Sequence, residues 1–313
     1  MRRILAALLA ALLAAAAQAQ DFTPAPFGPP QVAGTIADLR IDEISGIAAS
    51  RRADGRYWVH DDSGNEPFLY ALDARGALLG QVRVDDVANV DWEDIASFVL
   101  DGMPYLLVAD SGDNTGTRGH YELVAIAEPE LPLPAHAHAA PAWKIRYRFP
   151  DGAHDCEAVA VDATTQTVIL ITKRTDRPQV YTLPLRPRGD GEQVATRIAT
   201  IAAIPKPTAA ERALKLNAAR YGHEPTGLDI DPSGHRAALL TYRNAYLFTR
   251  ADGQGWGQAF AATPALLRLP LLPQAEAIGF DREGRSVFVT GEGVPVPLLR
   301  FDPAPRPSSA PSH

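Results

Sequence analysis

The sequence contains a single cysteine, Cys156, so no internal disulfide can form. Beyond its N-terminal stretch it also lacks any apolar run as long as a transmembrane span. Basic residues are not in excess, because the formal net charge is −7 at pH 7. Binding to a phosphate backbone needs a basic surface, and we therefore expect no nucleic acid as a macromolecular partner.

The N-terminal stretch MRRILAALLAALLAAAAQAQ joins two arginines to an apolar run that ends in Ala17-Gln18-Ala19. This order is typical of a secretory signal peptide over 1–19, and its removal with Arg2 and Arg3 would change the net charge from −7 to −9. No lipobox cysteine follows the run, so we expect a periplasmic or secreted monomer with no membrane anchor. Residues 20–30 and 304–313 are rich in Pro, Ala and Ser. They predict an irregular N-terminal segment and a disordered tail, with one domain over 31–303.

Five similar segments recur along the chain, with corresponding residues 48 to 69 positions apart. Each has an acid or an amide four residues before a central aliphatic residue, and an oxygen-bearing side chain two residues before it. The segments are EISGIAAS (43–50), DWEDIASF (91–98), DCEAVAVD (155–162), EPTGLDID (224–231) and QAEAIGFD (274–281). A turn and two more strands follow each segment, and four of them are followed by a fourth strand. This spacing and order are typical of propeller blades.

The repeats predict an all-β fold, a five-bladed β-propeller with four-stranded blades. The fifth unit ends at Pro303 without a fourth strand, whereas Gln31–Leu39 remains unassigned before the first unit. We therefore predict that this N-terminal strand pairs with Pro297–Asp302 and closes the ring, which leaves no long sheet edge exposed. The segment Pro205–Tyr221 has a helical composition and is predicted to be an insertion. The alternative is a pair of unrelated β-sandwiches whose repeats arise by chance.

The first strand of each propeller blade lines the central channel. Five oxygen-bearing residues should therefore converge on the axis at one depth: Ser45, Glu93, Glu157, Thr226 and Glu276. Three converging carboxylates repel one another unless a cation lies among them. Oxygen ligands without histidine or thiolate suit Ca²⁺, which we predict as the cofactor. The alternative is that backbone amides at the strand starts, or water in the channel, satisfy these side chains.

At these segments the sequence resembles the SdiA-regulated family of bacterial propellers, which carry a matching Ser/Glu/Glu/Ser/Glu series around a calcium ion. The resemblance covers Glu43–Asp302, with Thr226 in place of the fourth serine. More weakly, the series is similar to that of the calcium-dependent apyrases, which are five-bladed nucleotidases. The stretch Val59–Asp73 of this sequence also looks comparable to a segment of those enzymes. The resemblance implies a five-bladed calcium propeller and leaves its activity open.

The second strand of each blade runs back to the face where the first strand begins, and the ends of these strands are polar. There Lys173, Arg174 and Arg243 should face acids of the first two blades. These three cations, with the acids Asp110 and Asp113, are the candidate ligand-binding residues. This mixture suits a small anionic ligand held by the cations and polarised by the metal. The candidate acid–base residues are His60, Asp61, His154 and His223. The alternative is that DSGN and DSGDN are ordinary turn sequences and that the charges are solvated.

Two functional hypotheses follow. The first is an exported calcium-binding propeller that acts as a binding module for a small anionic ligand or a protein partner. The second is a calcium-dependent phosphoesterase or nucleotidase-type hydrolase. Ser45 lies in no G-x-S-x-G elbow and no complete acid–base set is recognisable, which favours the first hypothesis. Cys156 is predicted to be a small core residue facing the neighbouring blade rather than a reactive thiol.

Overall fold

The structure, a computed structural model, describes residues 22–213 and 220–305. The predicted signal peptide lies outside the described residues, as does the predicted tail beyond residue 305 and the central part of the predicted helical insertion. Within the described ranges, 22 strands form five separate sheets, each built on four antiparallel strands. The predicted class and blade number are therefore confirmed.

The blades follow one another along the chain. The first contains β2 (Ile44–Ala49), β3 (Arg56–Asp61), β4 (Phe68–Asp73) and β5 (Leu78–Val84). The second contains β6 (Trp92–Leu100), β7 (Met103–Asp110), β8 (Tyr121–Ala127) and β10 (Pro141–Arg148). The third contains β11 (Ala158–Asp162), β12 (Thr167–Ile171), β13 (Gln179–Pro184) and β15 (Thr196–Thr200). The fourth contains β16 (Pro225–Ile230), β17 (Arg236–Thr241), β18 (Asn244–Thr249) and β19 (Ala265–Arg268).

The fifth blade closes the ring. It contains β20 (Ala275–Phe280), β21 (Val287–Gly291), β22 (Val296–Phe301) and the N-terminal strand β1 (Gln31–Ile36). Strand β1 pairs antiparallel with β22, from Gln31 opposite Arg300 to Ile36 opposite Val296. The predicted closure is thus confirmed. Ahead of β1, residues 22–30 form isolated bridges to Leu266 and Pro303, which anchor this irregular segment to the fourth and fifth blades.

The hydrophobic core lies between neighbouring blades rather than on one side of each sheet. In β12, for example, Val168 and Leu170 pack with residues of the second blade, whereas Ile169 and Ile171 pack with residues of the fourth. Both faces of a middle strand are therefore covered, and such strands read as continuous apolar runs without polar alternation. The inner strands β2, β6, β11, β16 and β20 contact one another in sequence around the axis. Their N-terminal ends consequently meet at one mouth of the channel.

Two short strands were not expected from the sequence. Strand β9 (Ala137–Ala139) joins the first blade beside β5, and β14 (Gln193–Val194) joins the second blade beside β10, both in parallel. Each comes from a loop of the following unit, so each ties one blade to the next and covers an outer edge. Such coverage limits edge-to-edge association.

Helices are short in the described residues. Helix α1 (Ala209–Ala213) lies within the predicted insertion and begins with a capping box, in which Thr208 and Glu211 exchange hydrogen bonds of 2.7 and 3.2 Å. Helix α2 (Trp256–Ala261) packs against β15 and β18. No helix in the described part of the chain is both long and apolar enough to cross a membrane.

Candidate metal centre at the channel mouth

A β-bulge positions the predicted axial residues. In the first hairpin, Ile44 pairs with Asp61 and Gly46 pairs with His60, so Ser45 has no partner on β3. The same register shift leaves one extra residue in three more blades, at Glu93, Thr226 and Glu276. A bulge bends the strand and redirects the side chain of the extra residue. The sequence repeat is thus also a repeat of backbone geometry at the mouth of the channel.

The third blade reaches a similar arrangement without a bulge inside its first strand. Glu157 immediately precedes β11, whose pairing with β12 begins at Ala158 opposite Ile171. Further out, the amide of Lys173 donates to the carbonyl of Asp155 at 2.8 Å, so two residues lie opposite Thr172. Glu157 therefore occupies a position corresponding to Glu93.

Two of the predicted axial residues, Ser45 and Glu157, lie close to a third, Glu93, which is buried. The Ser45 hydroxyl donates to the backbone carbonyl of Glu93 at 2.9 Å and lies 3.3 Å from its carboxylate. Ligand atoms of Glu93, Asp155 and Glu157 all lie within 4.8 Å of one another. The same limit holds for a second group, formed by Glu93 with Asp62 and Asp91. Glu93 therefore belongs to two carboxylate groups, which we call the inner group (with Asp155 and Glu157) and the mouth group (with Asp62 and Asp91).

The other two predicted axial residues lie on the fourth and fifth blades. Glu276 is buried, and its charge acts on Glu157 and on Lys173. The Thr226 hydroxyl donates to the backbone carbonyl of Ala275 at 2.7 Å, directly before Glu276. Thr226 thus links the inner strands of these two blades, and its predicted role as a metal ligand stays a prediction.

Lys173 was predicted to face an external ligand, but the structure places its side chain inside the channel, where it is only 3% exposed. Its ammonium group contacts the Glu157 carboxylate, donates to the Tyr242 hydroxyl at 2.8 Å and lies 4.8 Å from the centre of the Tyr242 ring. A lysine is retained in an interior only when its charge is paired. Burial acts to lower the pKa of Lys173, but the Glu157 carboxylate and Tyr242 outweigh it and raise the pKa, so the side chain is a cation.

The single positive charge of Lys173 does not offset the negative charge of the surrounding carboxylates. Burial, and then the charge of Glu157, raises the pKa of Glu93 well above its usual range. Burial also acts to raise the pKa of Glu157, and the charge of Lys173 opposes it. Burial, followed by the charge of Asp62, raises the pKa of Asp91 to about 6. These carboxylates therefore favour any additional positive charge that reaches them.

Gly112 leaves room for the mouth group. A Cβ atom at this position would lie 2.1 Å from Glu93 Oε1 and 2.5 Å from Asp91 Oδ2. Any larger residue would push the two carboxylates away from their present positions. The donor set here consists of oxygen atoms alone, which is the chemistry that Ca²⁺ prefers.

Two aspartates that lie deeper than the axial residues are satisfied by backbone amides, which is the alternative considered above for the axial residues themselves. Asp94 Oδ2 accepts from the backbone amides of Val159 and Leu228 at 2.8 and 2.9 Å, which joins the second, third and fourth blades. Asp229 Oδ2 likewise accepts from the amide of Phe280 at 2.7 Å. Amides therefore satisfy this deeper layer, whereas Glu93 receives the Ser45 hydroxyl and faces other carboxylates.

The remaining predicted ligand-binding residues separate into three environments. Arg174 lies at the mouth, where it is 41% exposed and contacts Asp155 at 2.5 Å and the Asn114 side chain. Arg243 turns outward and donates to Glu211 of α1 at 2.8 Å. Asp110 pairs with Arg118 at 2.7 Å, and Asp113 accepts from the amides of Thr117 and Arg118 and from the hydroxyl of Tyr121. Internal donors thus engage both aspartates, which gives them a structural role in their loop.

The candidate acid–base residues do not share one site. His60 is fully buried against Gly46, and burial lowers its pKa to about 4, so its imidazole is neutral. Burial raises the pKa of its buried neighbour Asp61 to about 7. His154 contacts Asp151 at 3.0 Å and the Tyr181 hydroxyl at 3.3 Å. His223 lines a separate small cavity with Arg243.

Sequence reasoning assigned no specific role to Tyr242 or Asp62, although both border the axial residues. Asp62 and Tyr242 directly follow β3 and β17, and Lys173 lies two residues beyond β12. The Asp62 amide donates to Glu43 as the Lys173 amide donates to Asp155, so these positions correspond. This second set of repeated positions was the signal that could have identified them. Their residue types differ from blade to blade, so the repeat is visible only when the strand ends are aligned.

Comparison with protein-family models and with curated proteins finds no match to this sequence. Among solved structures, the fold is similar to the PQQ-bound aldose sugar dehydrogenase of Streptomyces coelicolor, with 12% identity and a TM-score of 0.49 over 90% of this chain and 99% of that one. It is also similar to a luciferin-regenerating enzyme, with 11% identity and a TM-score of 0.43 over 88% of this chain and 95% of the other. A third similar structure is the nidogen/laminin complex, with 13% identity and a TM-score of 0.40 over 79% and 72%. At these levels of identity the likeness concerns the propeller fold alone.

Proposed function

We propose that this chain is an exported calcium-binding β-propeller that binds a small anionic ligand or a protein partner at its channel mouth. The position of Glu93 carries the proposal, because its buried carboxylate belongs to both the inner group and the mouth group. Among the described residues, the buried acids around it outnumber the buried ammonium group of Lys173. A buried excess of negative charge is unfavourable unless a cation offsets it.

The contacts of Lys173 favour one side of the channel for the metal. Lys173 already neutralises Glu157, so the carboxylates with the larger uncompensated charge are those of the mouth group. Glu93, Asp91 and Asp62 would hold the ion, with Asp155 and Ser45 beside them. Bound there, calcium would offset the carboxylate charge and attract an anionic group to the mouth. Arg174, which is partly exposed beside Asp155, would contribute a second attraction from the protein itself.

The dispersal of the acid–base candidates supports a binding module over a hydrolase. His60 is enclosed between blades, His154 contacts Asp151 and Tyr181, and His223 lies beside Arg243. A hydrolase needs its acid and base within hydrogen-bond reach of the reacting group. Recognition needs only the metal, Arg174 and the surface around them.

The proposal is tested by adding calcium to protein from which metal ions have been removed with a chelator. Wild-type protein should gain thermal stability on addition of calcium, because a ligand that binds only the native state stabilises it. Glu93→Gln should lose this gain. Glu283→Gln is the matched control, since Glu283 is 44% exposed on the turn between β20 and β21, away from the mouth. A wild-type protein that shows no calcium-dependent shift, or a Glu93→Gln variant that keeps it, would refute the site.

A panel of phosphoesters assayed with calcium and with chelator separates the two classes of function. Calcium-dependent binding without turnover supports the binding module. Calcium-dependent hydrolysis that Glu93→Gln abolishes would instead assign the same site to a phosphoesterase.

A further inference from the structure

We propose that a second pocket, separate from the channel, binds a small oxyanion such as a phosphate or carboxylate group. The pocket has a volume of about 70 Å³ and lies between the loop that precedes α1 and the turn between β17 and β18. Its lining includes Pro205, Pro207, His223, Arg243, Asn244 and Tyr246, and we call it the His223 pocket. It requires no metal ion, so the inference is independent of the calcium site.

His223 lines this pocket, and one of its ring nitrogens has no hydrogen-bond partner among the described residues. Nδ1 is buried and makes no hydrogen bond to any described residue. Buried polar atoms in native proteins are almost always hydrogen-bonded, and an unmade bond is unfavourable. The neutral imidazole can carry its proton on either ring nitrogen, so His223 can offer a donor to an occupant of the pocket that it lines.

The surroundings of the pocket carry positive charge. Burial lowers the pKa of His223, and the charges of Lys206, Arg243 and Arg177 lower it further. Two of these cations have acidic partners, since Arg243 contacts Glu211 at 2.8 Å and Lys206 contacts Asp176. The Arg177 guanidinium instead donates to the backbone carbonyls of Ala202 and Ile204 at 2.6 and 3.4 Å. One positive charge therefore remains in excess among these groups.

Arg243 has further capacity for hydrogen bonding. One of its terminal nitrogens donates to Glu211, while its side chain remains 43% exposed at the pocket. A guanidinium has five N–H donors, and its planar geometry matches the oxygens of phosphate and carboxylate groups. Arg243 and His223 therefore offer a charged donor and a neutral donor to the same small space.

The size of the pocket limits the occupant. Ligand pockets for drug-sized molecules usually measure roughly 300–1,000 Å³, well above the 70 Å³ found here. The space suits an inorganic oxyanion, or the terminal phosphate or carboxylate of a larger molecule that extends into solvent. It does not enclose a nucleoside.

The turn between β17 and β18 separates this pocket from the metal centre. Tyr242 directs its hydroxyl to Lys173 in the channel, whereas the next residue, Arg243, turns to Glu211 and lines the His223 pocket. Adjacent residues on one turn thus serve different sites. An anion bound at Arg243 would not contact the inner group.

Isothermal calorimetry of the full-length protein tests the inference. Phosphate and, separately, acetate are titrated into protein from which metal ions have been removed with a chelator. We expect saturable phosphate binding without calcium, and at least a tenfold loss of affinity in Arg243→Gln and in His223→Ala. Arg285→Gln is the matched control, because Arg285 is 70% exposed on the turn between β20 and β21 and pairs with Glu283. Acetate binding that the same two substitutions weaken would extend the site to carboxylates.

A second readout does not depend on how the variants fold. In wild-type protein, phosphate should raise the pKa of His223 measured by NMR, because a bound anion stabilises the imidazolium. The inference is overturned if phosphate does not bind to chelated protein, if Arg243→Gln binds it like wild type, or if the His223 resonance does not respond. Phosphate binding that appears only with calcium would assign the anion to the channel mouth instead.

Discussion

Lys173 and Glu157 form a buried ion pair at the mouth of the central channel, with each side chain at most 4% exposed. The ammonium group supplies, on the third blade, part of the positive charge that offsets the buried acids of the channel. The pair divides the channel, since Glu157 already has a counter-ion whereas Asp62, Asp91 and Glu93 face one another. This asymmetry favours Asp62, Asp91 and Glu93 as the ligands of the proposed calcium.

Removal of one partner of this pair should be strongly destabilising. We expect Lys173→Met to lower the free energy of unfolding by about 3–5 kcal/mol in chelated protein, because it leaves Glu157 buried without its cation. The double variant Lys173→Met/Glu157→Leu should recover much of that loss. Urea denaturation measures both, with Lys144→Met as the control at a lysine whose side chain is 32% exposed. Equal stabilities of the two single lysine variants would contradict the burial and pairing described for Lys173.

Gly112→Ala tests the packing of the mouth group. The added methyl group would overlap Glu93 Oε1 and Asp91, so we expect weaker calcium binding together with a loss of about 1–3 kcal/mol in stability. Gly119→Ala is a matched control on the same loop, because a Cβ there meets no atom within 4 Å. Calorimetric calcium titration compares the two. Wild-type affinity in Gly112→Ala would show that the mouth group does not hold the ion.

The closure of the ring depends on a close backbone approach at Gly34. A Cβ at this position in β1 would lie 1.9 Å from the backbone oxygen of Arg75, which is not the flexible end of a side chain. Gly34→Ala should therefore displace β1 and lower the thermal midpoint, with a loss of about 1–3 kcal/mol. At Gly28 the corresponding contact is an ordinary 3.7 Å, so Gly28→Ala should behave like wild type. Unchanged stability of Gly34→Ala would argue against the closed ring.

Asp229 should make stability depend on pH. Burial raises its pKa to about 7, despite the charge of Arg51 and the amides of Phe280 and Ile230, whereas its ordinary value is 3.8. Between these values the folded state binds more protons than the unfolded state, so stability is greatest below about pH 4 and falls as the pH rises towards 7. For this group alone the change is roughly 4 kcal/mol.

Asp229→Asn should remove that component of the pH dependence. Urea denaturation at pH 4.5 and pH 8 would then show a smaller difference for the variant than for wild type, since the amide does not ionise. Asp252→Asn serves as the control, because Asp252 is 97% exposed. Parallel pH profiles for wild type and Asp229→Asn would mean that the aspartate titrates alike in both states.

The five repeated segments determined the blade count and the placement of Glu93 and Glu157 near the axis, because the period of the repeat is a local property of the chain. Closure by Gln31–Ile36 also followed from the sequence, since the last unit lacked a strand and an unpaired edge is unfavourable. Successive residues of β12 pack alternately against the second and the fourth blade, which explains why its apolar run indicated a strand covered on both faces.

Only the tertiary structure decided which charges meet. Lys173, Arg174 and Arg243 occupy comparable strand ends, yet one is buried against Glu157, one lies at the mouth beside Asp155, and one pairs with Glu211. Their partners come from other strands, loops and a helix, and the direction of a long side chain depends on those neighbours rather than on its own segment. The parallel strands β9 and β14 were unpredictable for the same reason, because each pairs with a residue more than 40 positions away. Local pattern therefore determines the blades, whereas contacts between blades determine the chemistry at the channel mouth.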